Sequence, residues 1–246
     1  MKSILVNEVR EFVNQHIDEF HESRINRVKK IKLKEVLQKK NPYLFKAKNI
    51  LTAQRLIESL LQAYLSSSEE ELFGEFLEEL AIFIAGKTLN GRKSSGTGID
   101  LEFTKDGVVY LVSIKSGVNW GNSSQYAALR DRFKKAVQVL KQSKSVKSVQ
   151  PVLASCYGKR KTVNNGEYLR ICGQEFWYFI SGNKNLYTDI IEPLGYQAKQ
   201  RNQHYEEELA VVINKFTAEF SNDFCCDGKI DWNELVLFNS GNLKLN

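Results

Sequence analysis

Two runs of strand-forming residues joined by one Asp-Gly turn set the strongest limit on how this chain can fold. Ile99-Asp100-Leu101-Glu102-Phe103 and Val108-Val109-Tyr110-Leu111-Val112-Ser113-Ile114-Lys115 flank Lys105-Asp106-Gly107. Asp-Gly accepts the positive φ that tight hairpin turns need. A two-residue loop at Asp106-Gly107 pairs Lys105 with Val108 and, counting outward, sets Asp100 opposite Ser113. Lys115 lies two residues past Ser113 and shares its face. Diagonal neighbours across a ladder have Cα atoms roughly 7–8 Å apart, within reach of a lysine side chain. The register therefore predicts the Asp100 carboxylate and the Lys115 ammonium in one place.

Helical spacing surrounds this hairpin. Leu5, Val9, Phe12, Val13, Ile17 and Phe20 recur at intervals of three and four, the pattern of an amphipathic helix. A break at Asn41-Pro42 precedes Thr52, a predicted N-cap, and an apolar face of Leu56, Ile57, Leu60, Leu61 and Tyr64. Ser68-Glu69-Glu70-Glu71 reads as a capping box that opens a separate helix ending at Gly86. Lys87 to Gly98, rich in Gly, Ser and charge, reads as a loop. After the hairpin a helix is expected from Asn122 or Ser123 through Leu140, then a strand at Val152–Tyr157, a buried strand at Phe176–Ile180 and a helix from Tyr205 to Phe220.

That order predicts an α/β fold, a mixed sheet flanked by helices, with extra helices at the N- and C-terminal ends. At 246 residues the chain is read as one domain: a helical N-terminal region (1–66), a core (67–160) and a C-terminal extension of that core (161–246).

With 42% hydrophobic and 26% charged residues, the composition is that of an ordinary globular protein, and no apolar run reaches the roughly 18 residues of a membrane span. Met1-Lys2-Ser3 and the residues after it lack a signal-peptide h-region, so a cytoplasmic location is expected. The net charge of +6 is uneven: Arg27 to Lys48 holds nine Lys/Arg and one acid, Glu35. Such a stripe suits a polyanion, since each neutralised phosphate releases counterions, although a solvated helix face has the same composition. Cys156, Cys172, Cys225 and Cys226 include no CxxC pair and read as reduced thiols; a zinc site combining three of them with His204 would have poor spacing.

The Asp100 and Lys115 pair can be an ordinary cross-strand ion pair. It also has the parts for phosphodiester hydrolysis, in which a divalent cation polarises the phosphoryl group and acidifies the attacking water. Hard Mg²⁺ prefers carboxylate and carbonyl oxygens, which Asp100 and the backbone carbonyl of Ile114 can supply. Lys115 can orient or deprotonate the water and stabilise developing charge.

Gly98-Ile99-Asp100 followed by Ser113-Ile114-Lys115 resembles the bipartite motif of the PD-(D/E)xK nuclease superfamily. The continuation Ser116-Gly117-Val118-Asn119-Trp120-Gly121-Asn122-Ser123-Ser124-Gln125 resembles a subgroup of bacterial type II restriction endonucleases. So do Asn41-Pro42-Tyr43-Leu44-Phe45, Cys172-Gly173-Gln174-Glu175-Phe176-Trp177 and Phe179-Ile180-Ser181-Gly182. Two positions depart from the motif: Ile99 stands where Pro is frequent, and Ser113 stands where an acidic ligand is expected. A hydroxyl is a poor substitute for a carboxylate on Mg²⁺. In related enzymes with Ser-x-Lys, a helix supplies the missing acid, and the preceding helix here carries Glu75, Glu78 and Glu79. Periodicity does not choose among them; the resemblance around Leu77-Glu78 favours Glu78. Glu102 shares a strand face with Asp100 and is a weaker candidate.

The resemblance implies a restriction-endonuclease-like core. It implies Asp100, Lys115, Glu78, Ser113 and Gln125 as catalytic residues, with Mg²⁺ held by Asp100, Glu78 and Ile114. Gln125 matches a glutamine that some of these nucleases place at the scissile phosphate. Trp120, Asn122, Ser123, Ser124, Lys159, Arg160 and Lys161 are expected to contact DNA, although N-capping, core packing and a solvated turn explain them equally. The expected activity is that of a homodimeric endonuclease cutting double-stranded DNA at a short palindromic site, with its methyltransferase a separate protein. A repair or structure-selective nuclease is one alternative. A catalytically inactive DNA-binding module of the same fold is another, raised by Ser113.

Overall fold

A computed structural model describes residues 4–143 and 146–242. Within these, the chain packs as two compact units: one takes in residues 4–17 and 73–196, the other 18–72 and 197–242.

The first unit is built on a six-stranded mixed sheet. Its strands, in chain order, are β1 (Arg92–Lys93), β2 (Leu101–Lys105), β3 (Val108–Lys115), β4 (Ser148–Ser155), β5 (Val163–Asn164) and β6 (Leu169–Cys172), and their spatial order is β1-β2-β3-β4-β6-β5. The hairpin forms with the predicted register from Lys105↔Val108 out to Leu101↔Val112, where the ladder ends short of the expected Asp100–Ser113 pair, and Asp106 and Gly107 both take positive φ. β4 then lies parallel to β3, Ser113 beside Leu153 and Lys115 beside Ser155. Parallel neighbours need a crossover, which is helix α5 (Ser123–Lys141). Phe133 and Leu129 of α5 pack on Ile99, Leu111 and Leu153, closing one face of the sheet.

Helix α1 (Val6–Lys30) begins in this unit, where the Phe12 ring stacks on Phe83 with centroids 4.5 Å apart. Phe83 belongs to α4 (Ala53–Leu89), a single helix of 37 residues. Ser68–Glu71 is therefore helix interior, not a helix start. A capping-box pattern acts only where the preceding backbone is non-helical, and here the helix runs straight through it, with Leu65 buried on one side and Phe76 and Leu80 on the other. The helix also passes Gly86 and ends at Leu89, where Asn90 takes φ 52°.

Phe176–Ile180 forms a helix, not a strand, within α6 (Gln174–Ser181). Buried Phe176, Trp177 and Ile180 fall at i, i+1 and i+4, which is a helical face hidden under an aromatic-rich composition typical of strands. The Trp177 indole donates to the Cys156 carbonyl at 2.8 Å, tying α6 to the end of β4. The expected strand at 152–157 also shifts, since β4 spans Ser148–Ser155. Short helices α7 (Leu186–Asp189) and α8 (Ile191–Gly195) complete the unit.

The second unit is mainly helical. α2 (Leu33–Lys39), α3 (Pro42–Ala47), α9 (Ala198–Phe224) and α10 (Trp232–Ser240) surround a core that includes Val36, Leu37, Phe45, Leu56, Leu61 and Phe220. Thr52 accepts from the Arg55 N–H, as expected of an N-cap, and at the expected break Asn41 caps α3 by accepting from the Tyr43 and Leu44 N–H groups. A two-stranded ribbon, β7 (Cys225–Cys226) and β8 (Lys229–Ile230), links α9 to α10.

Candidate active site

Asp100 sits one residue before β2, where the ladder closes unevenly. Its N–H donates to the Val112 carbonyl at 2.9 Å, although Leu101 is already the partner of Val112. Two residues facing one is the count that defines a β-bulge, a device that re-aims a side chain. Here it turns the Asp100 carboxylate along β3. Oδ2 accepts from the Ile114 N–H at 2.6 Å and from the Ser113 hydroxyl at 3.3 Å, and the Lys115 ammonium lies 3.8 Å away. All three contacts fall on Oδ2, which leaves Oδ1 for another partner. Gly98 enables this entry: it takes φ 73°, and a Cβ there would lie 2.5 Å from the Arg132 side chain.

Ile114 matters through its backbone. Val112 directs its carbonyl to the β2 side, and directions alternate along a strand, so Ile114 directs its own carbonyl to that side beyond the end of the ladder. Ser113 is buried at 1% exposure, and its hydroxyl is spent on holding Asp100.

Of the three helix acids, only Glu78 is drawn into this place. Glu75 and Glu79 are exposed, whereas Glu78 is partly buried. Burial raises the Glu78 pKa, and the Asp100 carboxylate raises it further; Lys93 and Lys115 oppose the rise. Lys93 Nζ stands 3.9 Å from the Glu78 carboxylate. Glu102 has other commitments, an ion pair with Arg92 at 2.6 Å and a bond from the Ser94 hydroxyl at 3.1 Å.

Two carboxylates from different elements, one of them destabilised as an anion by the other, form an environment that a divalent cation would neutralise. Among the described residues, no group of three or more His, Cys, Asp or Glu side chains is placed to hold a metal. The donor set here is two carboxylates and a backbone carbonyl. That set suits Mg²⁺, which binds through one or two carboxylates and keeps several waters.

The other sequence-predicted residues divide. Trp120 joins the site, its ring 5.6 Å from Lys115 Nζ and tilted against the Tyr126 ring with centroids 4.7 Å apart. Asn122, Ser124 and Gln125 form the start of α5. Asn122 Oδ1 accepts from the Gln125 N–H and from the Ser124 hydroxyl, while Gln125 Oε1 accepts from the Asn122 N–H at 2.9 Å. Gln125 is thus a capping residue with its carbonyl oxygen engaged, and Ser123 is exposed beside it. Lys159, Arg160 and Lys161 are exposed after β4. Arg160 reaches back to Asn119 Oδ1 at 2.7 Å, joining the turn after Lys115 to the turn after β4.

Three neighbours carried no readable signal. Lys93 lies in the charged segment expected to be a loop. Cys156 follows β4, and burial together with the Glu78 carboxylate pushes its thiol pKa far up. A Cβ at Gly117 would meet the Tyr157 ring at 2.6 Å, so only glycine allows these two turns to approach so closely. Cys156 and Gly117 depend on β4 lying beside β3, and Lys93 on β1 lying beside β2, neither of which a local pattern encodes.

No curated protein sequence matches the chain. The family model described as Type II restriction endonuclease EcoO109I matches residues 7–202, well over half of the chain and inclusive of every group just described. The chain therefore belongs to the type II restriction endonuclease EcoO109I family.

Proposed function

We propose that this endodeoxyribonuclease hydrolyses DNA at a Mg²⁺-dependent centre made by Asp100, Glu78, Lys115 and the Ile114 carbonyl. The observation that supports this most is the placing of Glu78 near Asp100 and Lys115: the Glu78 carboxylate is partly buried, and burial together with the nearby Asp100 carboxylate raises its pKa, while Lys115 Nζ stands 3.8 Å from Asp100. Lys115 and Lys93 lie within ion-pair distance of Asp100 and Glu78 respectively, yet the Glu78 pKa stays raised, which leaves room for a cation to neutralise the two carboxylates.

Asp100, through Oδ1, and Glu78 would hold the cation together with the Ile114 carbonyl. When bound, the ion polarises the scissile phosphoryl group and acidifies the attacking water. Ser113 and the Ile114 N–H fix the rotamer of Asp100. Glu78 supplies the acid that position 113 lacks. Lys115 donates to the attacking water and to the non-bridging phosphate oxygen, where negative charge grows. Trp120 confines the Lys115 side chain. Gln125, with Asn122, orders the N-terminus of α5, where exposed Ser123 and Ser124 can meet a DNA phosphate. Lys159, Arg160 and Lys161 neutralise backbone charge nearby.

The enzyme acts as a homodimer on a short palindromic site, because a two-fold protein matches the two strands of such a site. Its methyltransferase is a separate protein, and both work in the bacterial cytoplasm.

Plasmid and phage DNA incubated with Mg²⁺ or EDTA, with Asp100→Ala and Lys115→Ala in parallel, tests the centre. Discrete fragments that require Mg²⁺ and vanish in both variants are expected. A smear indifferent to these substitutions would remove Asp100 and Lys115 from the chemistry.

A further inference from the structure

The basic run from Arg27 to Lys48 plays no part in the centre above, and in the second unit it forms an exposed surface. α2 buries Leu33, Val36 and Leu37, and α3 buries Pro42 and Phe45, so Lys34, Lys39, Lys46 and Lys48 point to solvent. Their neighbours Arg27, Lys29 and Lys32 are neutralised by Glu71, Glu208 and Glu35. Among the described residues, these four have no carboxylate within ion-pair distance. Three lie over aromatic rings instead: Lys39 over Tyr64 at 5.7 Å, Lys46 over Trp232 at 5.3 Å and Lys48 over Phe45 at 5.5 Å. A ring steadies an ammonium group without cancelling its charge.

Helix electrostatics explain only part of this. Lys39 and Lys46 stand in the last turns of α2 and α3, where the helix dipole welcomes a cation. Lys34 stands in the first turn of α2, where the dipole opposes one. Charge held at the unfavourable end of a helix, unpaired and exposed, in a stretch of chain that also exposes Lys39, Lys46 and Lys48, is what a polyanion-binding surface requires.

We infer that the α2–α3 face of the second unit is a docking surface for the phosphate backbone of double-stranded DNA, separate from the cleavage centre. It binds without regard to sequence and raises the local concentration of substrate. The inference rests on the family's DNA substrate and is independent of the roles given to Asp100, Glu78 and Lys115.

The test is fluorescence anisotropy with a labelled 30-bp duplex of arbitrary sequence, in EDTA, across a salt series. The triple variant Lys34→Gln, Lys46→Gln, Lys48→Gln is compared with an equal charge change elsewhere, Lys199→Gln, Lys215→Gln, Lys229→Gln. Each lost phosphate contact removes about 0.9 from the slope of log K against log salt, so the first triple should flatten the slope by about 2 to 3 and weaken binding about tenfold or more. The control triple should change both far less, and Lys34→Arg, Lys46→Arg, Lys48→Arg should bind as the wild type does. Equal losses in the two Gln triples, no loss in the first, or failure of the Arg triple to bind would overturn the inference. Because the assay contains no metal, a failure of the proposed cleavage centre would leave this result unchanged.

Discussion

The two units handle half-buried charge in opposite ways. In the helical unit Arg24, its side chain only 12% exposed, bonds Glu69 at 2.7 Å and Asn202 at 3.1 Å and lies 3.8 Å above the Tyr205 ring. Every contact compensates the guanidinium, as in a network that holds helices together. In the sheet unit Glu78 is partly buried near Asp100; burial and that carboxylate raise its pKa, and Lys93 and Lys115 offset the rise only in part. Compensated charge marks architecture, whereas like charges held together mark a place where something else is to bind.

The largest expected effect sharpens that contrast. Asp100→Ala and Lys115→Ala should each lower plasmid cleavage by about a thousandfold or more, through loss of a cation ligand and of charge stabilisation, while thermal unfolding shifts little. Arg24→Ala should do the reverse: about 2 kcal/mol of stability lost in thermal or urea unfolding, since Glu69 is left partly buried without its partner, and single-turnover cleavage of folded protein unchanged. A large cleavage defect in Arg24→Ala would break the comparison.

Glu78 lies between these extremes. Its folded pKa is raised, so the folded state holds that proton more tightly than the unfolded state does, and the stability this gives is lost as pH rises through the folded pKa. Metal-free Glu78→Gln should therefore be slightly more stable than wild type at neutral pH, with a Tm gain of about 1–2 °C in calorimetry, and Mg²⁺ should narrow the gap by stabilising only the wild type. Cleavage by the wild type should fall on acidification at a pH above that of an ordinary glutamate, because Glu78 must ionise to hold the cation. The smallest effect is expected of Gln125→Ala, about 0.5–1 kcal/mol from the lost half of a capping box and about a threefold change in cleavage at most; a drop of two orders of magnitude would place Gln125 at the phosphate.

What was legible in the sequence follows the range of the forces involved. The hairpin was readable because Asp-Gly, the flanking strand residues and the register rule are all local, and they place Asp100 beside Lys115. The cap at Asn122 and the stop before Pro42 were readable for the same reason. The continuity of α4 was not, since Ser68–Glu71 carries a helix-start pattern that packing on both sides overrides. Nor was α6, whose aromatic density resembles a strand until one sees which residues are buried. Glu78 could be favoured only by resemblance. Its distinction from Glu75 and Glu79 lies in its closeness to Asp100, set by how α4 lies near the hairpin across more than twenty residues of chain.

The most direct test of the proposed centre is Mg²⁺-dependent plasmid cleavage by Glu75→Gln, Glu78→Gln and Glu79→Gln assayed side by side. The structure predicts that Glu78→Gln loses about a hundredfold or more in rate while the other two cut like the wild type. Wild-type cleavage by Glu78→Gln, or an equal loss in either neighbour, would contradict it.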